Sequence, residues 1–231
     1  MNSAALPLLF FVAFLLILAI IVVASWKKTK QRAADLRSLA DILGFNYAGN
    51  DSSRAAQPNT ALFRRGSRRR FRNVMNGNYG SYQVSIFDYS YTVGGGDSST
   101  TYRQTVAAMV QDRQLPSFEL RPQGLLDRIA ETFVHRDIDF ETHPGFSKRY
   151  VLRGEDETAV REMFNPALLS FFEMLPPEWK WHIEAGGATL LAYRANETVP
   201  PQEIRTFLDE ACSLANSLLA SSGRSASSWY A

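Results

Sequence analysis

From Leu6 to Ala24 the chain is an almost unbroken run of Leu, Ile, Val, Phe and Ala, and no charged side chain occurs before Lys27. At ~1.5 Å per residue such a run spans roughly 30 Å, the thickness of a bilayer's hydrocarbon core. Whatever follows must therefore hang from a membrane span or be delivered across one. Val23-Ala24-Ser25 offers the small residues of a signal-peptide cleavage site, so secretion is the competing reading. Three features oppose it. The residues before the run hold no Lys or Arg, the run exceeds the usual ~7–15 residues, and a basic cluster (Lys27, Lys28, Lys30, Arg32) follows at once. Residues 1–26 are accordingly read as an uncleaved anchor, with Pro7 in its first turn and Trp26 where an interfacial aromatic belongs. The charge step predicts an N-terminus outside and the rest of the chain in the cytoplasm.

Charge is unevenly divided beyond the span. Residues 27–72 hold twelve Lys/Arg against three Asp/Glu, a net of +9, whereas residues 73–231 hold thirteen against twenty, a net of −7. A basic neck therefore precedes an acidic body, and a basic segment beside a bilayer is drawn to its anionic leaflet by about 1 kcal/mol per residue. The single cysteine, Cys212, excludes an internal disulfide and suits a reducing compartment.

Residues 27–60 read as a juxtamembrane helix and a loop. Leu36, Leu39, Ala40 and Leu43 recur at helical spacing, Gly44 supplies a stop, and Asn50–Thr60 is polar. Residues 61–220 read as one α+β domain. Asn76-Gly77 is a hairpin-turn signal joining Phe71–Met75 to Tyr82–Tyr91, in which Tyr82, Val84 and Ile86 face one side and Phe87, Tyr89 and Tyr91 the other. Further strands are expected at Thr101–Val110, Phe118–Leu120, Asp137–Phe140, Lys148–Leu152, from Trp179 to Ile183 and, after a turn at Gly186-Gly187, over Ala188–Arg194. Leu125, Leu126, Ile129 and Phe133 mark a helical face. Asp156 and Asn165-Pro166 start two short helices, and Ile204, Phe207, Leu208, Ala211, Leu214, Ala215 and Leu218 line a last one. Residues 221–231 form a Ser-rich tail expected to be disordered. The expected architecture is a transmembrane helix followed by an antiparallel sheet packed by helices, with Phe87, Trp181, Leu190, Phe207 and Leu214 in the core.

The succession of the span, LGF (Leu43–Phe45), NVMNG (Asn73–Gly77), IFDYSYT (Ile86–Thr92) and FSKRYVLRGEDETAVREMFNPAL (Phe146–Leu168) resembles bacterial single-span membrane-anchored proteins of unknown function. The resemblance covers most of the chain and rests on strand ends, helix caps and breakers. It implies a bacterial inner-membrane protein and carries no catalytic residue.

Two constellations are chemically suggestive. In FRRGSRRRFRN (Phe63–Asn73) the residues Arg64, Arg65, Arg68, Arg69, Arg70 and Arg72 crowd together and repel unless anions or acidic side chains lie among them. Lipid phosphate needs the fewest assumptions, pairing with the chain's own acidic body is the rival, and a solvated strand edge explains the run without either. Nucleic acid is not expected, because Phe63 and Phe71 flank the cluster and no reading fold accompanies it. In His135–His143 an extended chain places His135, Asp137, Asp139, Glu141 and His143 on one face, a set able to ligate zinc, iron or manganese. A solvated strand face explains the same pattern. His182 beside Glu184 reads as a surface ion pair, Cys212 as a packed thiol, and Tyr79, Tyr82, Tyr89, Tyr91 and Tyr102 as sheet-forming aromatics.

No GxSxG, HExxH, CxxC, Walker A or dinucleotide fingerprint occurs. The leading expectation is a cofactor-free, non-enzymatic scaffold on the inner membrane that contacts a protein partner and, through its arginines, anionic lipid. The alternative is a membrane-tethered metal-dependent hydrolase using the His135–His143 face.

Overall fold

The structure is a computed structural model describing residues 5–124 and 137–222. The helical face expected from Leu125 to Phe133, the side chain of His135 and the tail beyond Ser222 lie outside the described residues.

No Gly or Pro falls between Trp26 and Gly44, so nothing stops a helix begun in the apolar run. The span and the juxtamembrane helix are accordingly one element, α1 (Ala5–Leu43), 39 residues long. It is long and apolar enough to cross a membrane, and its large apolar side chains from Phe10 to Trp26 are exposed. Its C-terminal end is different: Leu36 and Ala40 are buried, and Leu39 and Leu43 pack on the same core. The amphipathic stretch thus packs on its own domain. With β1 (Asn46–Gly49) paired to β2 (Ser67–Tyr79), residues 36–49 belong to the folded body rather than to a connector.

The remaining strands are β3 (Tyr82–Val93), β4 (Thr100–Pro122), β5 (Tyr150–Gly154) and β6 (Trp181–Arg194), all paired antiparallel in one six-stranded sheet. Strand β4 is its axis. Val106–Val110 pair with both β3 and β6, and Phe118–Leu120 with both β5 and β6. Hence β6 occupies one edge of β4, while β3 and then β5 share the other. The expected α+β architecture is the observed one.

Four local expectations change. Asn76 and Gly77 lie inside β2, opposite Ser85 and Val84, and the turn falls at Gly80-Ser81. Gly80 has φ +59 at the first central position, as a type II′ turn requires. Gly77 serves packing instead: a Cβ there would stand 2.2 Å from the Phe45 ring. Phe118–Leu120 is the continuation of β4. Likewise Gly186-Gly187 does not reverse the chain, because Gly187 (φ +62) is a bulge opposite Leu115 that bends β6 together with β4. Asp137–Phe140 is irregular, touching β5 through Ile138 N–H donating to Leu152 O (2.7 Å), and Pro144 then opens a short helix, α3 (Pro144–Arg149).

The short helices start where their caps place them. Asp156 accepts from Ala159 N–H ahead of α4 (Glu157–Met163), and Asn165 from Leu168 N–H ahead of α5 (Pro166–Met174). These helices, α1 and α6 (Ile204–Ser222) cover one face of the sheet, where Val84, Ile86, Trp181, Ile183, Leu190, Phe207 and Leu214 are buried. The opposite face buries Phe87, Tyr89, Tyr91, Val106, Leu191 and Tyr193 beneath residues 50–66, including α2 (Ala61–Arg64). Strand β3 is covered on both sides with the alternation its sequence implied.

Candidate functional site

The arginine run begins in α2 and ends in β2. Its first two members are tied to the acidic body. Arg65 points inward and pairs with Glu119 on β4, to which Arg121 also contributes at 3.4 Å. Glu119 stands directly opposite Glu184 on β6, so two carboxylates share one buried site under α2. Glu184 is wholly buried, accepting from Leu62 N–H at 2.8 Å and from the Tyr193 hydroxyl at 2.7 Å. Burial, reinforced by the charge of Glu119, raises the pKa of Glu184, and burial beside Glu184 holds the Tyr193 phenol well above its ordinary value. The site fastens α2 to the sheet. It takes Arg65 out of any surface role, and Arg64 lies 3.6 Å from Glu155.

Arg64 is itself exposed, as are the other four. The register of β2 on β3 slips between Ser67 and Arg70 and again between Arg72 and Met75, with Arg68 (φ 50) and Asn73 (φ 52) in left-handed conformations. These are bulges of an edge, because β1 pairs with β2 only as far as Val74 and leaves residues 67–73 without an outer strand neighbour among the described residues. The first bulge lets Arg69 fold back, donating from Nη2 to Arg64 O (2.7 Å) and Gly66 O (3.1 Å) and from Nε to Arg65 O (3.3 Å). Arg69, Arg70 and Arg72, with Asn50, Ser52, Gln57 and Phe71, line a cavity of about 390 Å³ between this edge and the 50–57 loop.

The groove is one strand away from the point where α1 docks. Arg72 is the register partner of Asp88, and Arg70 of Ser90. Arg32 of α1 grips Asp88 with two charge-assisted bonds, Nη2 at 2.7 Å and Nε at 2.8 Å, and donates from Nη1 to Val199 O at 2.8 Å. Asn73 Nδ2 (2.8 Å) and the Thr105 hydroxyl (3.0 Å) donate to the same carboxylate, and Tyr47 donates to Asn73 Oδ1 at 2.8 Å. Arg32 lies six residues past Trp26, a rise of ~9 Å along the helix. The opposite end of β2, where Gly77 meets Phe45 just beyond the end of α1, lies farther from the apolar span. Arg70 and Arg72 are therefore on the span-proximal part of the sheet.

The second constellation does not form one face. Asp137 is bound by Arg153 Nε at 2.6 Å, the Asp139 backbone carbonyl accepts from Arg161 at 2.8 Å, and His143 sits at the start of α3 with Thr142 at 3.0 Å. Without a strand there is no alternation to aim Asp137, Asp139, Glu141 and His143 together. Among the described residues no group of three or more His, Cys, Asp or Glu is placed to hold a metal. His182 is half-buried and stacks on Tyr193 at 5.0 Å rather than forming a surface pair with Glu184. Burial pushes the Cys212 thiol up to about 11. Tyr79 and Tyr82 donate to Asp209 and Asn216 of α6, while Tyr89, Tyr91 and Tyr102 join the second-face aromatic cluster.

No protein-family model matches the chain, and no curated protein matches it. Among solved structures it is similar to the mycobacterial trehalose monomycolate transport factor A, TtfA, with a TM-score of 0.55, 16% identity, 82% of this chain and 95% of that chain covered. At that identity the likeness is one of fold, and it extends over most of both chains.

The sequence pointed to the arginines but not to their division of labour. Arg32 read only as one of four basic residues after the span, and Asp88 and Asn73 only as polar positions within strands. What could have singled out Asp88 is its place on the inward face of β3, in line with Tyr82, Val84 and Ile86, where a carboxylate requires a cation.

Proposed function

We propose that this protein is a non-catalytic, single-span membrane-anchored module whose domain lies on the cytoplasmic side of a bacterial inner membrane and rests its exposed arginines on anionic lipid. The observation that carries the reading is the Arg32–Asp88 clasp: it joins anchor and sheet within six residues of Trp26 and stands beside Arg70 and Arg72. Attraction of about 1 kcal/mol per basic residue near an anionic leaflet makes Arg68, Arg69, Arg70 and Arg72 a sizeable contact when several engage. The neighbour of like fold is a transport factor, which supports an accessory role beside other membrane proteins. That role would be exercised through a protein partner.

The test uses residues 30–220, which retain Arg32, Leu36 and Ala40, with circular dichroism confirming the fold. This fragment is expected to sediment with anionic vesicles but not neutral ones, to release at high salt, where screening shortens to ~3 Å at 1 M, and to bind far less when Arg68, Arg69 and Arg70 become Ser. Absence of binding to anionic vesicles at low salt ends the lipid reading. Topology is checked separately. A reporter fused after Ala231 should be active in the cytoplasm, and a mature chain beginning at Trp26 or a reporter active only outside would refute the orientation.

A further inference from the structure

The Arg32–Asp88 clasp gives α1 and the sheet a common level, and both run on from it in the same direction. Phe45, just past the end of α1, lies against Gly77, the register partner of Val84, while Arg32 lies against Asp88. Passing from the first contact to the second follows α1 toward its N-terminus and β3 toward its C-terminus. Beyond the clasp α1 reaches Trp26 after a rise of ~9 Å. Strand β3 continues for five residues to Val93, about 17 Å at the usual rise, and stays paired to β4 as far as Val93 opposite Thr100. The hairpin is therefore longer than the distance from the clasp to the bilayer surface. It does not pack along α1, whose residues 27–31 are exposed, so helix and hairpin diverge. A divergence of up to about 55° still carries Val93 to the level of Trp26.

The chemistry of the hairpin changes along that path. Arg70 and Arg103 flank Ser90 in register, two residues past Asp88, and both are exposed. They lie ~7 Å beyond the clasp, near the level of Lys27 and Lys28 on α1. Past them charge runs out: in sequence Asp97 is the one charged residue between Asp88 and Arg103. Val93 is 45% exposed, and outside α1 it and Met174 are the exposed large apolar side chains among the described residues. Cations first and uncharged residues beyond is the order α1 itself shows on entering the span.

We propose that the tip of the β3–β4 hairpin, from Val93 to Thr100, is a second point of membrane contact, lying in the headgroup layer beside the span. This rests on α1 crossing a bilayer and not on the attraction of the arginines to anionic lipid. The contact is set by length. Because α1 is unbroken from the span through the clasp, the domain carries the tip to a fixed depth. The backbone of the turn, outside the strand ladder, needs water or headgroup partners and cannot enter hydrocarbon. The tip accordingly stops within the layer of about 5–7 Å between hydrocarbon and water, with Val93 at the apolar boundary. Zwitterionic and anionic lipids serve alike.

The test places single cysteines in the full chain on a Cys212→Ser background, labels each with a fluorophore and reconstitutes the protein in nanodiscs of phosphatidylcholine. Val93→Cys and Ser99→Cys report the tip, Ser81→Cys the turn at the other end of β3, and Phe14→Cys the span. All four positions are exposed, and circular dichroism confirms the fold of each labelled chain. One set of nanodiscs carries a quencher on the headgroup, another carries it deep in the acyl chain. The tip labels are expected to lose most of their emission to the headgroup quencher and little to the deep one. That loss should be the same at low and high salt and when Arg68, Arg69 and Arg70 become Ser. The Phe14 label should lose emission to the deep quencher, and the Ser81 label to neither. Tip labels as unquenched as Ser81, with Phe14 quenched, overturn the tip contact and leave the span standing. An unquenched Phe14 label overturns the span and the tip with it. Tip quenching that appears only with anionic lipid and vanishes at high salt overturns a contact set by length and assigns it to the arginines.

Discussion

Replacing Asp88 by Ala tests whether anchor and domain are one mechanical piece. The carboxylate accepts from Arg32 Nε and Nη2, Asn73 Nδ2 and the Thr105 hydroxyl, at 2.7–3.0 Å. Its side chain is 17% exposed and that of Arg32 20%. Removing it leaves Arg32 with the Val199 carbonyl at 2.8 Å and a long contact of 3.4 Å to Thr105, and strips Asn73 Nδ2 of its acceptor. Breaking a fully buried pair costs about 3–5 kcal/mol, and access of water to a site one-fifth open lowers that to about 2–4 kcal/mol. Against a total stability of about 5–15 kcal/mol this is a large fraction. Urea unfolding of the full chain in a neutral detergent should show a lower midpoint with an unchanged slope. A cycle with Arg32→Ala should return a coupling of about 1.5–3 kcal/mol, because the second substitution removes a bond already lost. Spin labels on α1 and on β4 should also give a broader distance distribution in Asp88→Ala, since helix and sheet are then joined only by apolar contacts, the long Arg32–Thr105 contact and Arg37 lying over the Tyr47 ring. A destabilisation under about 0.5 kcal/mol with additive single effects would refute the clasp.

Gly77→Ala drives a methyl group into the Phe45 ring, 2.2 Å from its nearest carbon, and should cost about 1–3 kcal/mol in a denaturation midpoint, partly recovered by Phe45→Leu. Trp181→Ala removes a ring stacked on Phe207 at 4.8 Å, with Arg194 lying over both, and should cost about 3–5 kcal/mol; an unchanged midpoint would contradict the assignment of β6 and α6 to one core. Glu184 has a folded pKa raised by burial and by Glu119, so the folded chain holds more protons than the unfolded one above the ordinary carboxylate range of ~4.3. Its contribution to stability is therefore present at low pH and is lost as pH rises through the raised value. Glu184→Gln should flatten that decline in urea midpoints measured across pH, and an unaltered slope would sink the assignment.

What could be read from the chain alone was set by local rules. Nineteen nearly uninterrupted apolar residues specify a helix long enough to span a bilayer, the caps at Asp156 and Asn165 start helices through bonds three residues away, and the alternation of β3 fixes which of its residues meet which layer. The helical face of α6 and the burial of Phe87, Trp181, Leu190, Phe207 and Leu214 followed from periodicity in the same way. The tertiary structure decided whatever depended on a partner distant in sequence. Asn76-Gly77 is a turn signal, yet the Phe45 ring needs the space above Gly77 and the turn moves to Gly80. Gly186-Gly187 looks like a reversal, but pairing with β4 on both sides of the bulge keeps β6 continuous. The six arginines are equivalent as letters; a partner 54 residues away, Glu119, turns Arg65 into a structural tie, Arg64 stays at the surface beside Glu155, 91 residues away, and Asp88, taken by Arg32 from 56 residues away, is denied to the rest. Charge pairing across such distances is settled only when the sheet closes, which is why composition announced an arginine surface and only the fold determined which arginines remain on it.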